Sequence, residues 1–379
     1  MIDSVRKKLH ILGLLICYVV MLHANNLAYN GYDKVIATWE FGDKFGIYTS
    51  SGSRIFFGIK EIDSNNKHKA ILDGYGWGTV SNSIYYGYYP YNTNYVSHGN
   101  VMTALPVSYT SQVQTANNNL DHLASYDYMV AQTTTTETEA NFTFAHYGSI
   151  IRFACYVPAT TTFSSLEITS KADDAIFTTE ANMNLTNQTI TSTSKSKKAT
   201  LTLNNITVAS GDSLIAYMMM PPTDLSGKSI MLSLNATDGS ALQTYIAGVN
   251  IQAGKVYPVS VGKENYFKVS TSGGNDDSEE VLSLQADLGD KRTTEQITTA
   301  TAYATDFTLD AVNELKPFLL GDVNLDGVVN VTDAVIVINH YQARTTEELD
   351  FNVSDVNGDN NINVTDAVGI INIYQSRLQ

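Results

Sequence analysis

The chain has 379 residues and a formal net charge of −15, from 38 acidic and 23 basic side chains. Because binding to nucleic acid needs clustered lysines and arginines, this balance argues against a nucleic-acid partner. An acidic surface instead suits divalent cations and solubility outside the cell. The length allows two or three domains.

The N-terminal residues have the pattern of an export signal. Basic residues at 6–8 precede an apolar run at 11–22, and Ala24 is a small residue suited to cleavage, so residues 1–24 are predicted to be a signal peptide. The run is shorter than the ~20 residues of a membrane-spanning helix. No later stretch is long enough, so we expect a mature chain without a transmembrane segment. Cys17 raises the alternative of a lipoprotein signal, but the apolar segment continues past it, which favours a cysteine discarded with the signal.

Residues 34–261 show the pattern of β-structure. Short runs rich in Val, Ile, Thr, Tyr and Phe recur between Gly, Asn, Ser and Asp. Strands are predicted at residues 35–41, 54–59, 83–89, 141–144, 150–157, 199–203, 213–220 and 229–234. Helical periodicity is absent here, which favours a mainly β fold of two antiparallel sandwiches in series. Cys155 is the only cysteine outside the signal, so no internal disulfide is expected.

A polar, acidic stretch follows this region. Residues 273–280 carry two glycines and then Asn, Asp, Ser and Glu, which cannot form a core, so they are predicted to be a linker. The signal from 281 to 320 is weak, although 306–315 is compatible with a short strand and a helical turn. The predicted division is a signal peptide at 1–24, β-domains at 25–132 and 133–263, a linker with an unassigned segment at 264–320, and a C-terminal module at 321–379.

The C-terminal residues contain an internal repeat of a loop followed by an apolar helix. The loops begin at Asp322 and Asp355, and both place Asp or Asn at alternate positions. Calcium takes about six to eight oxygen ligands, which a loop of about twelve residues supplies from positions 1, 3, 5, 7, 9 and 12. The predicted ligands are Asp322, Asn324, Asp326, the carbonyl of Val328, Asn330 and Asp333 in the first loop, and Asp355, Asn357, Asp359, the carbonyl of Asn361, Asn363 and Asp366 in the second. The pattern therefore predicts two Ca²⁺ ions.

Other loop positions support this interpretation. Gly327 suits the sharp turn at position 6, and Asn360 is the non-glycine residue that best tolerates a left-handed backbone there. Val329 and Ile362, at position 8, are predicted to pack the two loops together. The alternative is that Asp and Asn merely mark turns. Two matches in register, each leading into the same apolar helix, favour calcium.

The two helices are predicted to form the module's own small core. Val335 and Ile338 in the first copy, and Val368 and Ile371 in the second, fall at helical spacing. A core of this size is marginal by itself. Calcium binding is therefore expected to couple to folding.

These EF-hand-like loops and their helices resemble the type I dockerin module over 321–379. The resemblance implies two calcium ions and docking to a cohesin-like module on a scaffold or cell surface. In that family, recognition residues lie before the final loop aspartate and at the start of the following helix. The corresponding residues are Val331, Thr332, Ala334 and Val335 in the first copy, and Val364, Thr365, Ala367 and Val368 in the second. Many dockerins have Ser-Thr before the aspartate, so the valines depart from the pattern, while the similarity of the copies would allow two related docking orientations.

Five motifs occur in order through the β-region. They are a Tyr-rich strand ending in Tyr-Pro at 85–91, an Asp-hydrophobic-Ala segment at 126–131, a Phe-x-His segment at 144–153, a strand ending in Pro-Pro at 216–222, and Ala-Gly-Lys-Val-Tyr at 253–257. Together they resemble the fimbrillin-like surface proteins of Bacteroidales-type bacteria. The resemblance implies two tandem transthyretin-like β-sandwiches, a secreted or cell-surface location (outer membrane or fimbrium), and assembly with fimbrillin subunits by strand addition. The chain departs from it by lacking a clear acylation cysteine and by ending in the calcium module, which favours an accessory or free-standing adhesin.

Ordinary packing explains most of the conspicuous side chains. The tyrosines at 85–91 are expected to pack half-buried on a sheet rather than form a sugar-binding platform. Trp39 and Trp77 are predicted to lie in the core. The methionines at 218–220 are predicted to lie in a strand, and His146 at a core or edge position.

No catalytic or cofactor-binding residues are predicted, because the sequence contains no HExxH, GxSxG or phosphate-loop motif. The favoured function is a non-catalytic exported adhesin or pilus-associated protein, attached through its dockerin-like module to a cohesin-like partner. Glycans are a further candidate partner. One alternative is a carbohydrate-binding or glycoside-hydrolase component of a polysaccharide-degrading complex, since two carboxylates can assemble in space. Another is that the calcium loops only stabilise the C-terminus.

Overall fold

The part of the chain that the structure describes is mainly β. The computed structural model describes residues 26–379 except for 31–33, 50–53, 75–82, 92–100, 136–138, 266–267, 271–298, 311–314, 316, 346–348, 358, 360, 378 and 379. Its strands are β1 (Asn26–Tyr29), β2 (Lys34–Thr38), β3 (Lys44–Thr49), β4 (Arg54–Ile62), β5 (Lys69–Gly74), β6 (Ser83–Tyr89), β7 (Leu105–Ser108), β8 (Gln112–Gln114), β9 (Met129–Thr135), β10 (Glu139–His146), β11 (Ser149–Tyr156), β12 (Thr161–Ser170), β13 (Phe177–Asn184), β14 (Thr189–Ser196), β15 (Lys198–Val208), β16 (Ser213–Met220), β17 (Thr223–Asp224), β18 (Ser229–Ala236), β19 (Ala241–Ala247), β20 (Asn250–Ile251), β21 (Lys255–Val261), β22 (Lys268–Ser270), β23 (Thr299–Ala304) and β24 (Phe307–Leu309).

The described α-helices lie in the C-terminal module. They are α1 (Val331–Tyr341), α2 (Phe351–Ser354) and α3 (Val364–Arg377), and short 3-10 helices occur at Val101–Thr103, Asp121–Tyr126 and Lys263–Asn265. Among the residues with a described structure, no helix is long and apolar enough to cross a membrane. The predictions for the signal peptide, Cys17, Trp77, the linker at 273–280 and Asn360 lie outside the described residues.

All eight predicted strands are confirmed. β6 and β16 have the predicted bounds, and the others differ by a few residues at their ends. In β10, exposed and buried residues alternate strictly, as expected for a strand with one face against a core. Trp39 is 2% exposed, which confirms its core position, and Tyr85, Tyr88 and Tyr89 are buried more deeply than expected.

The first half of the body forms a closed barrel of seven strands, in the order β10–β23–β5–β4–β3–β6–β9. These strands therefore do not form the sandwich that was predicted for this half. The closing strand is β23, which comes from the segment left unassigned, pairs in parallel with β10 and pairs antiparallel with β5. Its buried residues are the small Ala300, Ala302 and Ala304, so the hydrophobic alternation that marks other strands is weak here. The predicted boundary between residues 132 and 133 falls inside β9, which pairs with β10, and the domain division stays a prediction.

Two six-stranded sheets form the second half. One has the order β1–β2–β24–β21–β11–β16 and the other β22–β19–β18–β12–β15–β8. They enclose one hydrophobic core, to which β11 contributes Phe153, β16 contributes Met218 and β12 contributes Leu166. Val35 and Met219 of the first sheet belong instead to the core of the barrel, so this sheet separates two cores. Smaller sheets, β14–β13–β7 and β17–β20, complete the body.

Side-chain amides cover the outer edge of β16. Gln112 donates to the Met219 carbonyl at 2.8 Å and accepts from its N–H at 2.8 Å. Gln114 likewise accepts from the Tyr217 N–H at 2.9 Å and donates to the Ile215 carbonyl at 2.9 Å. These glutamines lie on β8, and they satisfy an edge that would otherwise present free backbone groups to another strand.

A buried ion pair holds the residue that follows β23. His146 Nδ1 lies 2.6 Å from the Asp127 carboxylate, and its Nε2 lies 2.5 Å from the Thr305 carbonyl. Both neighbours are acceptors, so the ring donates from both nitrogens and is charged. Burial by itself disfavours that charge, but Asp127 and the Thr305 carbonyl outweigh it and raise the pKa of His146 above its usual value. The predicted core or edge position of His146 is confirmed.

Candidate calcium and docking site

The first loop folds around its own carboxylates. Asp322, at position 1, is almost fully buried and accepts backbone N–H bonds from Asp326 at 3.1 Å and Gly327 at 2.8 Å. Asp333, at position 12, is buried and accepts from the Asn330 N–H at 2.8 Å. Gly327 has a φ of +88°, so the predicted sharp turn at position 6 is confirmed. The carboxylates at both ends of the loop are therefore directed toward the loop backbone.

The second loop repeats this arrangement. Asp355 accepts from the Asp359 N–H at 3.2 Å, and the buried Asp366 accepts from the Asn363 N–H at 2.9 Å. At the remaining alternate positions, the side-chain oxygen of each Asp or Asn accepts a hydrogen bond from the backbone N–H two residues later, as in an Asx-turn. Those bonds join Asn324 to Asp326, Asp326 to Val328, Asn330 to Thr332, Asn357 to Asp359, Asp359 to Asn361 and Asn363 to Thr365.

The donor chemistry of the loops fits calcium. Within the described residues, no group of three or more His, Cys, Asp or Glu side chains is close enough to hold a metal by itself. The predicted shell combines carboxylates with Asn amides and the carbonyls of Val328 and Asn361, an all-oxygen set that suits Ca²⁺. Burial, followed by repulsion from Asp333 and Asp326, raises the pKa of Asp322 above its usual value. A bound cation would relieve that repulsion, and the individual ligand assignments stay predictions.

The core of the module differs from the predicted one. Val335 and Val368 are 47% and 53% exposed, so the prediction that they pack in the core is wrong. The buried side chains are Ala334, Val337, Ala367 and Ile370, together with Val323 and Val329 of the first loop, and Ile338, Ile362 and Ile371 lie at the border. The physical reason is helix geometry. Because Asp333 and Asp366 turn inward toward the loops, the residues one and four positions later follow them inside, and those two positions later face outward.

Both helix starts carry exposed apolar side chains. Nine large hydrophobic side chains are found exposed among the residues that the structure describes, and seven of them belong to this module, namely Leu325, Val328, Val331, Val335, Tyr341, Val364 and Val368. Thr332 and Thr365 are exposed between these valines. Ala334 and Ala367, which were predicted to contact a partner, are 1% exposed and contribute no side-chain surface, because they fill the core. We call the six exposed residues of the predicted set, Val331, Thr332, Val335, Val364, Thr365 and Val368, the valine surface.

Three exposed residues of the module escaped the sequence reasoning. Leu325, Val328 and Tyr341 are each more than half exposed. A signal existed for the first two, because a leucine and a valine inside a polar calcium loop have no core to fill unless they occupy position 8. Tyr341 ends α1, where helical spacing alone does not separate core from surface.

The module is fastened to the body by a short, well-packed connection. Leu315 is 1% exposed and lies in the core between the two six-stranded sheets. Pro317 forms a bridge with Ile246, and the Phe318 N–H donates to the Tyr245 carbonyl at 2.8 Å. Leu319 already packs against the module's own core. Phe318 thus makes the last backbone contact with β19, and the next residue, Leu319, already belongs to the packing of the module.

Comparisons with known proteins match both parts of the chain. A fimbrillin-like family model matches residues 33–274, and a dockerin type I domain model matches residues 320–373. Among solved structures, the chain is similar to a candidate cell adhesion protein from Bacteroides ovatus (16% identity, 68% of this chain and 96% of that one, TM-score 0.40). It is also similar to one from Bacteroides uniformis (18%, 65% and 95%, TM-score 0.41). The tip fimbrial protein Mfa3 from Porphyromonas gingivalis, with a C-terminal truncation, is a further similar structure (9%, 60% and 92%, TM-score 0.33).

No curated protein matches the chain. The fimbrillin-like model covers more than half of the 379 residues, and the dockerin model covers both calcium loops and most of the helices that follow them. The mainly β body and the helical C-terminal module agree with this division. The chain therefore belongs to the fimbrillin-like family and carries a type I dockerin module at its C-terminal end.

Proposed function

We propose that this protein is a non-catalytic, exported adhesin of the cell surface that attaches through its dockerin module to a cohesin-like partner in a calcium-dependent manner. The observation that carries the proposal is the concentration of exposed hydrophobic side chains on the module, seven of the nine found among the described residues. Exposed apolar side chains gathered in one small region favour a binding surface. The fimbrillin-like body supports the adhesin part of the proposal.

The valine surface has the duplication expected of a docking face. Val331 and Val364 occupy the same position of the two copies and are 51% and 43% exposed. Val335 and Val368 also occupy equivalent positions, one helical turn later, and are 47% and 53% exposed. Burying such side chains against a partner would contribute roughly 25 cal/mol for each Å² of apolar area removed from water.

Calcium would control this surface through the helix starts. Asn330 and Asn363 are predicted ligands, and their side chains also accept the Thr332 and Thr365 N–H bonds at 2.7 and 2.8 Å. These contacts fix the first turn of α1 and α3, where the valine surface begins. Two bound ions, one in each loop, would hold both helix starts in place, and their removal would release the surface.

The test is calcium-dependent capture of the full mature chain on a panel of immobilised cohesin modules. We expect retention in millimolar calcium, loss in EGTA, and loss in the double variant Val331→Asp with Val364→Asp. Val113→Asp is the matched control, because Val113 is an exposed valine of the body, 42% accessible. Absence of retention by every cohesin, or retention unaffected by the double variant, would contradict docking through this surface.

A reducing-sugar assay separates the proposal from a role as a polysaccharide-degrading component. We expect no release of reducing ends from plant or host polysaccharides by the full chain. Turnover that persists after repurification would contradict the non-catalytic part of the proposal, and would leave the docking part intact.

A further inference from the structure

An open pocket of about 460 Å³ lies in the β-body between two turns. One turn follows β2 and carries Glu40 and Phe41, and the other joins β4 to β5 and carries Ser64 and Lys67. Trp39 forms a buried part of the lining at 2% exposure, whereas the Phe41 ring is 61% exposed. The pocket therefore combines an accessible aromatic ring with several polar side chains.

The fold holds this pocket rigidly. The buried Asp43 carboxylate accepts the Glu40 N–H at 2.8 Å and the Tyr89 hydroxyl at 2.8 Å, which locks the turn that carries Phe41. The Trp39 N–H donates to the Lys67 carbonyl at 3.0 Å and ties this turn to the other one. The Trp39 indole in turn donates to the Ala302 carbonyl of β23 at 3.1 Å. A ligand would thus meet a preformed site and would order little of the protein on binding.

The polar groups around Phe41 are free to contact a ligand. Among the described residues, the side chains of Glu40, Ser64 and Lys67 have no hydrogen-bond or ion-pair partner. They offer an acceptor, a hydroxyl that both donates and accepts, and a cationic donor. Glu40 and Asp63 are acidic and Lys67 is basic, so the charged groups of the lining disfavour a strongly anionic ligand.

We infer that this pocket binds one or two rings of a neutral saccharide. A sugar ring has an apolar C–H face that can lie against the Phe41 ring, and hydroxyls that both donate and accept toward Glu40, Ser64 and Lys67. A strongly anionic ligand would face two carboxylates, because Asp63 also lines the pocket. A purely apolar ligand would leave the polar side chains desolvated and unpaired. The inference concerns the body alone and does not depend on calcium or on docking by the module.

The test begins with a printed panel of neutral and sialylated oligosaccharides, probed with the full mature chain. Binding of the best neutral oligosaccharide is then measured in solution by tryptophan fluorescence, since Trp39 lines the pocket. We expect binding that EGTA leaves unchanged, about tenfold weaker binding for Phe41→Ala, and recovery for Phe41→Tyr. Lys67→Ala should weaken binding by a smaller factor.

Tyr341→Ala is the matched control, because Tyr341 is an exposed aromatic of the module with similar accessibility, 57%. It should bind saccharide as the wild type does. The inference is overturned if no neutral oligosaccharide binds, if only sialylated ones bind, or if Phe41→Ala binds as tightly as the wild type. Because Phe41 lies on the surface, an unchanged unfolding midpoint of Phe41→Ala confirms that the variant is folded.

Discussion

Replacing His146 tests the ion pair that holds the end of the barrel-closing strand. The substitution His146→Gln keeps a hydrogen-bond donor but removes the positive charge, and one amide cannot reach both Asp127 and the Thr305 carbonyl. The pair is buried, with side-chain exposures of 1% for His146 and 0% for Asp127. Breaking one partner of such a pair leaves the other charge uncompensated and costs about 3–5 kcal/mol.

The same geometry predicts a pH dependence. The pKa of His146 is raised in the folded protein relative to the unfolded chain. Its contribution to stability is therefore fully present below about pH 6.5, the usual value for histidine, and is lost as the pH rises through the folded pKa. The difference in unfolding free energy between the wild type and His146→Gln should be largest near pH 6 and should shrink as the pH rises through the folded pKa of His146.

Urea unfolding followed by tryptophan fluorescence measures both effects, because Trp39 lies in the core of the barrel. His68→Gln is the matched control. His68 also faces a carboxylate, Asp306, but at 3.6 Å and with 34% of its side chain exposed, so its loss should cost less than about 1 kcal/mol. Equal midpoints for His146→Gln and the wild type at pH 6, or a difference that does not change with pH, would refute the reasoning.

Three further predictions concern the loops and a sheet edge. Asp322→Ala and Asp355→Ala should each lose one bound calcium and loosen the following helix, and unchanged calorimetric stoichiometry and affinity in both variants would contradict the ligand assignment. Gly327→Ala should lower the calcium affinity of the first site about tenfold. Backbone strain alone would cause this, since the φ of Gly327 is +88° and an added Cβ meets no atom within 4 Å. Equal calcium affinity of variant and wild type by calorimetry would argue against it. The pair Gln112→Leu and Gln114→Leu should lower the unfolding free energy by about 3 kcal/mol and cause concentration-dependent association in sedimentation experiments, and a stable monomer would contradict the edge-covering role.

Sequence reasoning succeeded where local chemistry determines local structure. β16 was predicted with its observed bounds because its apolar run is bounded by turn residues on both sides. Gly327 was predicted to turn sharply because its place in the loop demands a left-handed backbone. In both cases the decisive contacts lie within a few residues of sequence.

The sequence did not predict features that depend on contacts between residues far apart in the chain, or on a polar side chain outside the hydrophobic pattern. β23 pairs with β10 and β5, which precede it by more than a hundred residues, and its alanines give no strong alternation. The prediction of which face of α1 is buried was wrong for a related reason. Val335 and Ala334 are both apolar, and which of them faces inward depends on the direction of Asp333, a polar side chain that hydrophobic spacing does not weigh.

Because β23 adds a late part of the chain to the barrel, the residues that precede the module are held within the β-body, and an anchored adhesin would carry tension through them. β23 is hydrogen-bonded on both sides within the barrel, and β24 then pairs with β2 and β21. The chain next buries Leu315, contacts β19 through Phe318 and enters the module core at Leu319. Force applied at a docked module would reach the β-body through these residues, not through a long linker attached to the surface. The Phe41 pocket is tied to β23 by the bond from Trp39 to Ala302, so the candidate ligand site contacts the same stretch of chain that leads to the candidate docking site.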